Sequence, residues 1–250
     1  MIDDADEPDD IDYALEWKLR AIAVPVAFAL SLLFYLSPTG HSLQRTFLTM
    51  IPHELGHATT AWLAGITAIP SVWKTLIFGR GWLVPVLVGA GNVALLWFGW
   101  RRNRMPLLLA GVALGGLQLV LTTTDLASAQ VAITFGGDAG AMIIGTLLVL
   151  TFFAPAGSAF RKGALRWGLL VIGAATVTDT FATWWTARTD PSVIPFGEIE
   201  GVGGSDPTKL AAAGWPVEQI VDRYVLVGGV CVAVIVVATA WFTYRAHREA

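Results

Sequence analysis

Residues 47–66, FLTMIPHELGHATTAWLAGI, place an H-E-x-x-H motif inside an apolar run. On a helix, residues four apart share a face, so His53 and His57 can present two imidazoles to one metal ion. Glu54 lies about 100° around the helix from His53, within reach of a water activated by that metal. Pro52 is favourable at a helix start. The stretch therefore predicts a membrane-associated helix that carries two metal ligands and a general base.

The composition predicts a membrane protein. The chain has 250 residues, of which 55% are hydrophobic and 14% are charged, whereas about 25% of the residues in a soluble domain are charged. Charged residues are scarce in membrane spans because burying a charge in the bilayer is costly. The net charge of −3 comes without a basic patch, which argues against a nucleic-acid partner. The one cysteine, Cys231, excludes an intrachain disulfide and a cysteine-rich metal site.

Seven apolar segments approach the length of about 20 residues that spans a bilayer as a helix. They are residues 21–36, 47–66, 82–100, 106–122, 139–155, 165–185 and 221–244. The second segment is the most polar, and it is either a full span or a partly re-entrant one. The predicted fold class is an all-α polytopic membrane protein with about six to seven transmembrane helices. We expect an acidic N-terminal tail over residues 1–20 and a single membrane domain over residues 21–250.

Three segments interrupt the apolar pattern. Residues 65–81, GITAIPSVWKTLIFGRG, hold β-branched and aromatic residues between glycines, which indicates a short strand or β-hairpin after the motif helix. Residues 125–140 are rich in Thr, Ser and Gly and are predicted to form a polar connector. Residues 186–221 hold four prolines and predict a lid or a small extramembrane cap. Within that loop, Glu198 and Glu200 are expected on a solvated surface, and Asp206 is predicted to cap a helix over residues 208–213.

Basic residues gather in the loops at 100–105 and 160–166 and in the C-terminal tail, and the connector at 125–140 has none. By the positive-inside rule these basic segments, with the C-terminus, are cytoplasmic. Seven full spans then place the N-terminus outside, whereas six place it inside, in better agreement with Lys18 and Arg20. The sequence leaves both orientations open. We expect a multi-pass integral protein of the cell membrane.

A third metal ligand is needed, because catalytic zinc usually has three protein ligands and one open position. Asp138, in F-G-G-D-A-G before the apolar residues 141–153, is the first candidate, since its neighbouring glycines allow close backbone approach. Its alternative role is a helix N-cap. Asp179, deep in the sixth apolar segment, is a second candidate and is otherwise a partner of a ligand histidine. Asp125 is read as an interfacial residue.

The motif and the later Gly-flanked Asp together resemble the site-2 protease family of membrane zinc metallopeptidases. That family pairs H-E-x-x-H with a later Asp, commonly in an L-D-G motif, where this chain has G-G-D-A-G, and no PDZ insertion is recognisable here. The resemblance covers about residues 47–155. It implies that His53, His57 and Asp138 bind Zn²⁺ and that Glu54 is the catalytic glutamate.

The sequence and the resemblance together predict an intramembrane zinc metalloendopeptidase. Zinc-activated water, with Glu54 as the general base, would hydrolyse peptide bonds of a membrane-anchored protein or peptide. The alternative is a non-proteolytic metal-binding membrane protein or transporter, which would use the same two histidines. Glu54 argues against that alternative, because a pure binding site needs no base at this position.

Overall fold

The computed structural model describes residues 13–155, 157–199 and 203–249. The predicted acidic tail up to residue 12, and Glu200, lie outside the described residues. Nine α-helices are present among the described residues: α1 Tyr13–Tyr35, α2 Pro38–Gln44, α3 Met50–Leu63, α4 Leu83–Arg101, α5 Met105–Thr123, α6 Leu126–Leu150, α7 Leu165–Thr186, α8 Asp206–Ala212 and α9 Val217–Glu249. A π-helical stretch, Arg45–Thr49, joins α2 to α3.

Five of these helices are long and apolar enough to cross a membrane, namely α1, α4, α5, α6 and α9. The prediction of an all-α polytopic membrane protein is therefore confirmed. The two remaining predicted spans, residues 47–66 and 165–185, correspond to α3 and α7, which are not among the five. Helix α3 has 14 residues and follows the π-helical stretch without a break in the helical backbone. Helix α7 has 22 residues, and a run of them from Gly173 to Thr180 is buried, which places its polar side chains inside the protein.

The β-hairpin expected after the motif helix is present. Strand β1, Ile66–Pro70, pairs antiparallel with β2, Thr75–Arg80, with an irregularity between Ile66 and Ala68. A second, very short pair, β3 Glu198–Ile199 and β4 Gly203–Gly204, precedes α8. The polar loop predicted over residues 186–221 thus contains both this pair and α8.

The chain divides into two compact units. The first comprises residues 1–52, 141–194 and 218–250, and the second comprises residues 53–140 and 195–217. The core of the first unit is built from large apolar side chains of α1, α7 and α9 and of the end of α6. Its buried members are Val24, Val149, Phe152, Phe153, Leu170, Val177 and Ile235.

A buried ion cluster fixes one end of the first unit. Glu16 accepts hydrogen bonds from Arg20 at 2.7 Å, from Arg166 at 2.7 Å and from Arg161 at 3.0 Å. At the same end, the ring of Trp17 lies against that of His247, with centroids 5.1 Å apart. The start of α1 and the end of α9 therefore lie at one end of this unit, together with the basic loop before α7.

The second unit has a core of five alanines and two isoleucines from α3 and the turn after it, α6 and β1. They are Ala58, Ala61, Ala64, Ile66, Ala68, Ala129 and Ile133. Small residues allow helix backbones to approach closely, which is the usual way of packing helices in a membrane. In the same unit, α4 and α5 form an antiparallel pair in which Asn92 donates a hydrogen bond to Gln118 at 2.7 Å.

The prediction of a polar connector over residues 125–140 is wrong. These residues belong to α6, which begins at Leu126, and the carboxylate of Asp125 accepts a hydrogen bond from the backbone N–H of Ser128 at its start. The Ser, Thr and Gly residues that resemble a loop in the sequence lie inside a helix, since small residues suit its packing against α3. Asp138 consequently lies in the middle of α6, and neither its predicted position at a helix start nor an N-cap role holds.

Candidate metal centre

Glycine contacts bring α3 and α6 together at the motif. A Cβ atom added to Gly56 would lie 2.7 Å from the carbonyl oxygen of Gly137 and 3.0 Å from Cα of Gly140. Real Cβ atoms do not tolerate such distances, so only glycine at these positions permits the observed backbone approach. The G-G-D-A-G sequence of α6 is thus a packing surface for the H-E-x-x-H helix, which explains the glycines that flank Asp138.

The two motif histidines point at a common position. Their Nε2 atoms are 3.1 Å apart and their rings are nearly perpendicular. Gly137 leaves the space for both rings, because a Cβ there would lie 2.6 Å from Nε2 of His57 and 2.7 Å from Cε1 of His53. The spacing of four residues on α3 produces this arrangement, as the sequence predicts.

Hydrogen bonds at the opposite ring nitrogens hold both imidazoles. Nδ1 of His57 donates to the carbonyl oxygen of Ile133 at 2.8 Å, and Nδ1 of His53 lies 2.8 Å from Oδ1 of Asp138. A carbonyl oxygen and a carboxylate can only accept, so both Nδ1 atoms carry the proton. The electron pair or second proton of each ring is therefore at Nε2, on the side where the two rings converge.

Asp206, from α8, completes the group. Its Oδ2 atom lies 3.2 Å from Nε2 of His53 and 3.0 Å from Nε2 of His57. Burial raises the pKa of Asp206, but the hydrogen bonds from His53 and His57 outweigh it and hold the pKa of this carboxyl well below its ordinary value. An ionised carboxylate facing two Nε2 atoms requires a positive charge between them, either protons on the imidazoles or a metal ion.

The donor set suits a metal. The ligand atoms of His53, His57 and Asp206 all lie within 4.8 Å of one another. In a tetrahedral zinc site with bonds of ~2.0–2.1 Å, ligand atoms are about 3.3 Å apart, close to the separations found here. All three side chains are largely buried, Asp206 being the most exposed at 16%.

Asp138 is not a member of this group. Its carboxylate holds the far side of the His53 ring, the position at which a carboxylate orients a metal-bound histidine. Glu54 is 5% exposed, and its Oε2 atom accepts a hydrogen bond from the hydroxyl of Thr75, the first residue of β2, at 2.7 Å. The β-hairpin thus contacts the carboxylate that the motif identifies as the base.

The second sequence candidate, Asp179, has other partners. In the first unit its Oδ1 atom is 2.8 Å from Nε2 of His41 and its Oδ2 atom is 3.2 Å from the guanidinium of Arg45. Across residues 13–155, 157–199 and 203–249, Asp179 belongs to no group of converging metal-ligand atoms.

Sequence reasoning missed Asp206. We expected an N-cap, but Ser205 occupies the N-cap position and Asp206 is the first residue of α8. The available signal was an acidic residue in the longest polar segment of a chain that is poor in acids outside its N-terminus. Because Asp206 is 149 residues from His57, only the fold brings them together.

Comparisons of the chain with models of protein families, with curated proteins and with solved structures find no match.

Proposed function

We propose that the protein is a zinc-dependent membrane peptidase whose metal is held by His53, His57 and Asp206. The observation that carries this proposal is the convergence of the Nε2 atoms of His53 and His57 and the buried carboxylate of Asp206, with Glu54 next to His53 on the same helix. Such a set is stable when protons or a metal ion supply positive charge at the converging Nε2 atoms, and the glutamate that follows His53 in the motif favours the metal.

The zinc ion would act as a Lewis acid and lower the pKa of a water toward neutrality. The protein would supply the orientation of the ligand atoms. Asp138 orients His53, and the Ile133 carbonyl orients His57, so the ligand atoms are fixed before any substrate arrives. Pre-organised groups contribute to catalysis because they need no rearrangement during the reaction.

Glu54 is proposed as the general base, which accepts the proton of the attacking water and returns it to the leaving amine. Its carboxylate is held by Thr75, whose hydroxyl is also 2.8 Å from the Glu54 carbonyl oxygen. A glutamate adjacent to a ligand histidine and fixed in this way favours hydrolysis over passive metal binding or transport, because those functions need no base.

Water access is supported by the origin of Asp206. This ligand comes from the polar segment of the second unit, residues 195–217, and not from a membrane-spanning helix. Helix α3, the source of the other two ligands, is not one of the five candidate spans either. A site near the membrane surface can receive water without a long channel, and a substrate helix that enters there has to unwind only near its end.

We propose that the start of α1 and the end of α9 face the cytoplasm. The start of α1 and the end of α9 lie at one end of the first unit with the basic loop before α7, and basic loops remain inside. This topology implies an even number of crossings, so one segment besides the five candidate spans would also cross. The proposed substrates are membrane-anchored proteins or peptides, and the proposed location is the cell membrane.

The direct test uses Glu54→Gln in the full-length protein. Zinc content is measured by elemental mass spectrometry, and cleavage is followed by mass spectrometry on a set of single-span peptides in vesicles. We expect Glu54→Gln to retain zinc and to lose cleavage by at least ~100-fold, while His57→Ala loses both. Undiminished cleavage by Glu54→Gln would reject the role as base, and zinc binding without any cleavage by the wild type would favour a metal-binding protein or transporter.

A further inference from the structure

A groove runs between α1 and α9 in the first unit, and none of its lining residues takes part in the proposed reaction. Its volume is about 750 Å³ and its walls are almost entirely apolar. On α1 the lining extends from Trp17 to Phe28, and on α9 it extends from Val232 to His247. A cavity of this size accommodates one lipid- or drug-sized molecule.

The length of the groove matches one leaflet of a bilayer. At 1.5 Å per residue, the lining spans ~17 Å of α1 and ~23 Å of α9. A leaflet contributes about half of a ~30 Å hydrocarbon core plus its headgroup region, or roughly 20 Å. A transmembrane helix would require the full thickness, so the dimensions favour a lipid over a helical segment.

The two ends of the groove differ chemically. Trp17, Tyr244 and His247 line one end, where the ammonium of Lys18 lies 5.8 Å from the Trp17 ring and the guanidinium of Arg248 lies 5.8 Å from the Tyr244 ring. Aromatic rings with adjacent cations are typical of the headgroup level of a membrane. This end therefore offers positive charge to a phosphate, and the rest offers only hydrocarbon contacts.

From these observations we propose that the α1–α9 groove binds one anionic phospholipid of the surrounding bilayer. An acyl chain lies along Ala21, Val236 and Ala240, and the phosphate lies at Lys18 and Arg248. Anionic lipids are attracted to such juxtamembrane cations. The site is independent of the proposed metal centre.

The test is native mass spectrometry of the full-length protein released from nanodiscs that contain equal amounts of phosphatidylglycerol and phosphatidylcholine. We expect one retained phosphatidylglycerol per chain, in clear excess over phosphatidylcholine. The pair Lys18→Gln and Arg248→Gln should lower that excess about fivefold for each cation removed. Arg102→Gln, in the loop after α4, is the matched control and should leave it unchanged.

Filling the groove tests its occupancy. Ala240→Trp should abolish retention of both lipids, while Val237→Trp, on an exposed face of α9, should retain them. Ala21→Phe fills the groove from α1 and replaces Ala240→Trp if that variant does not fold. Equal retention of the two lipids by the wild type overturns the proposal, and it is the result expected if the acidic residues near the N-terminus neutralise Lys18 and Arg248. Retention by the filled variants also overturns it, as does a wild-type dimer mass that Ala240→Trp abolishes, which would assign the groove to a second copy of the chain.

Discussion

Asp138 and His53 meet at 2.8 Å on the side of the imidazole ring that faces away from His57. This contact fixes the proton of His53 on Nδ1 and directs Nε2 toward His57 and Asp206. The carboxylate that the sequence predicts as a metal ligand is therefore placed to orient His53, and a carboxylate from α8 faces both Nε2 atoms.

The two carboxylates should differ in their effect on zinc. Asp206→Ala removes a donor atom, so we expect zinc to be lost on dialysis against a weak chelator. Asp138→Ala leaves the three donors in place and should weaken zinc binding by ~10–100-fold, as loss of an orienting partner does. Competition titration with a chromophoric chelator measures both affinities. The reverse order would restore Asp138 as the ligand.

Gly137→Ala should disrupt the centre without touching a ligand. The added Cβ would lie 2.6 Å from Nε2 of His57 and 2.7 Å from Cε1 of His53, so both rings must move. We expect zinc affinity to fall by at least ~10-fold. Gly116→Ala on α5, where a new Cβ meets nothing within 4 Å, is the control and should leave zinc binding intact. Equal affinities for the two variants would contradict the crowding argument.

Thr75→Val should separate the base from the metal. The substitution keeps the shape of the side chain and removes the hydroxyl that contacts Oε2 of Glu54 at 2.7 Å. A hydrogen bond to a charged group contributes about 1.5–3 kcal/mol, so peptide cleavage should fall by ~10–100-fold at unchanged zinc content. Thr75→Ser retains the hydroxyl and should recover most of the rate. A fall in zinc content would instead indicate a general structural effect of the hairpin.

Glu16→Gln should destabilise the first unit. The Glu16 side chain is 4% exposed and is paired with Arg20, Arg161 and Arg166. Breaking a buried ion cluster by removing one partner costs about 3–5 kcal/mol, because the remaining charges stay buried. Thermal unfolding in detergent should show a clear fall in Tm. Glu249→Gln, which breaks the exposed pair with Arg245, should change Tm little, and similar Tm values for both variants would refute the importance of the cluster.

The proposed topology can be tested by cysteine labelling. In a Cys231→Ala background, Ala159→Cys and Glu249→Cys should react with a membrane-impermeant maleimide from the same side of the membrane. Leu36→Cys, at the other end of α1, should react from the opposite side. This result is expected because Glu16 and Arg161 are in contact and Trp17 lies against His247. Labelling of Ala159→Cys and Glu249→Cys from different sides would exclude it.

Local patterns in the sequence predict much of the fold. Long apolar runs predict α1, α4, α5 and α9 because a helix is the way for a single segment to satisfy its backbone in a bilayer. The glycine-bounded, β-branched residues 65–81 predict the hairpin. The prediction for residues 125–140 is wrong, because the small and polar residues that permit close helix packing are also the residues typical of a loop.

The candidate metal centre is likewise predicted only in part by local sequence patterns. His53, Glu54 and His57 are set by helical periodicity, so the sequence alone places two imidazoles on one face with a carboxylate beside them. The sequence does not predict that Asp206 joins them, because no local pattern relates it to residues about 150 positions away. The packing of Gly56 against α6 and the position of α8 within the second unit decided that Asp138 orients His53 and that Asp206 faces both histidines. Contacts between distant segments depend on tertiary packing, and no local pattern specifies them.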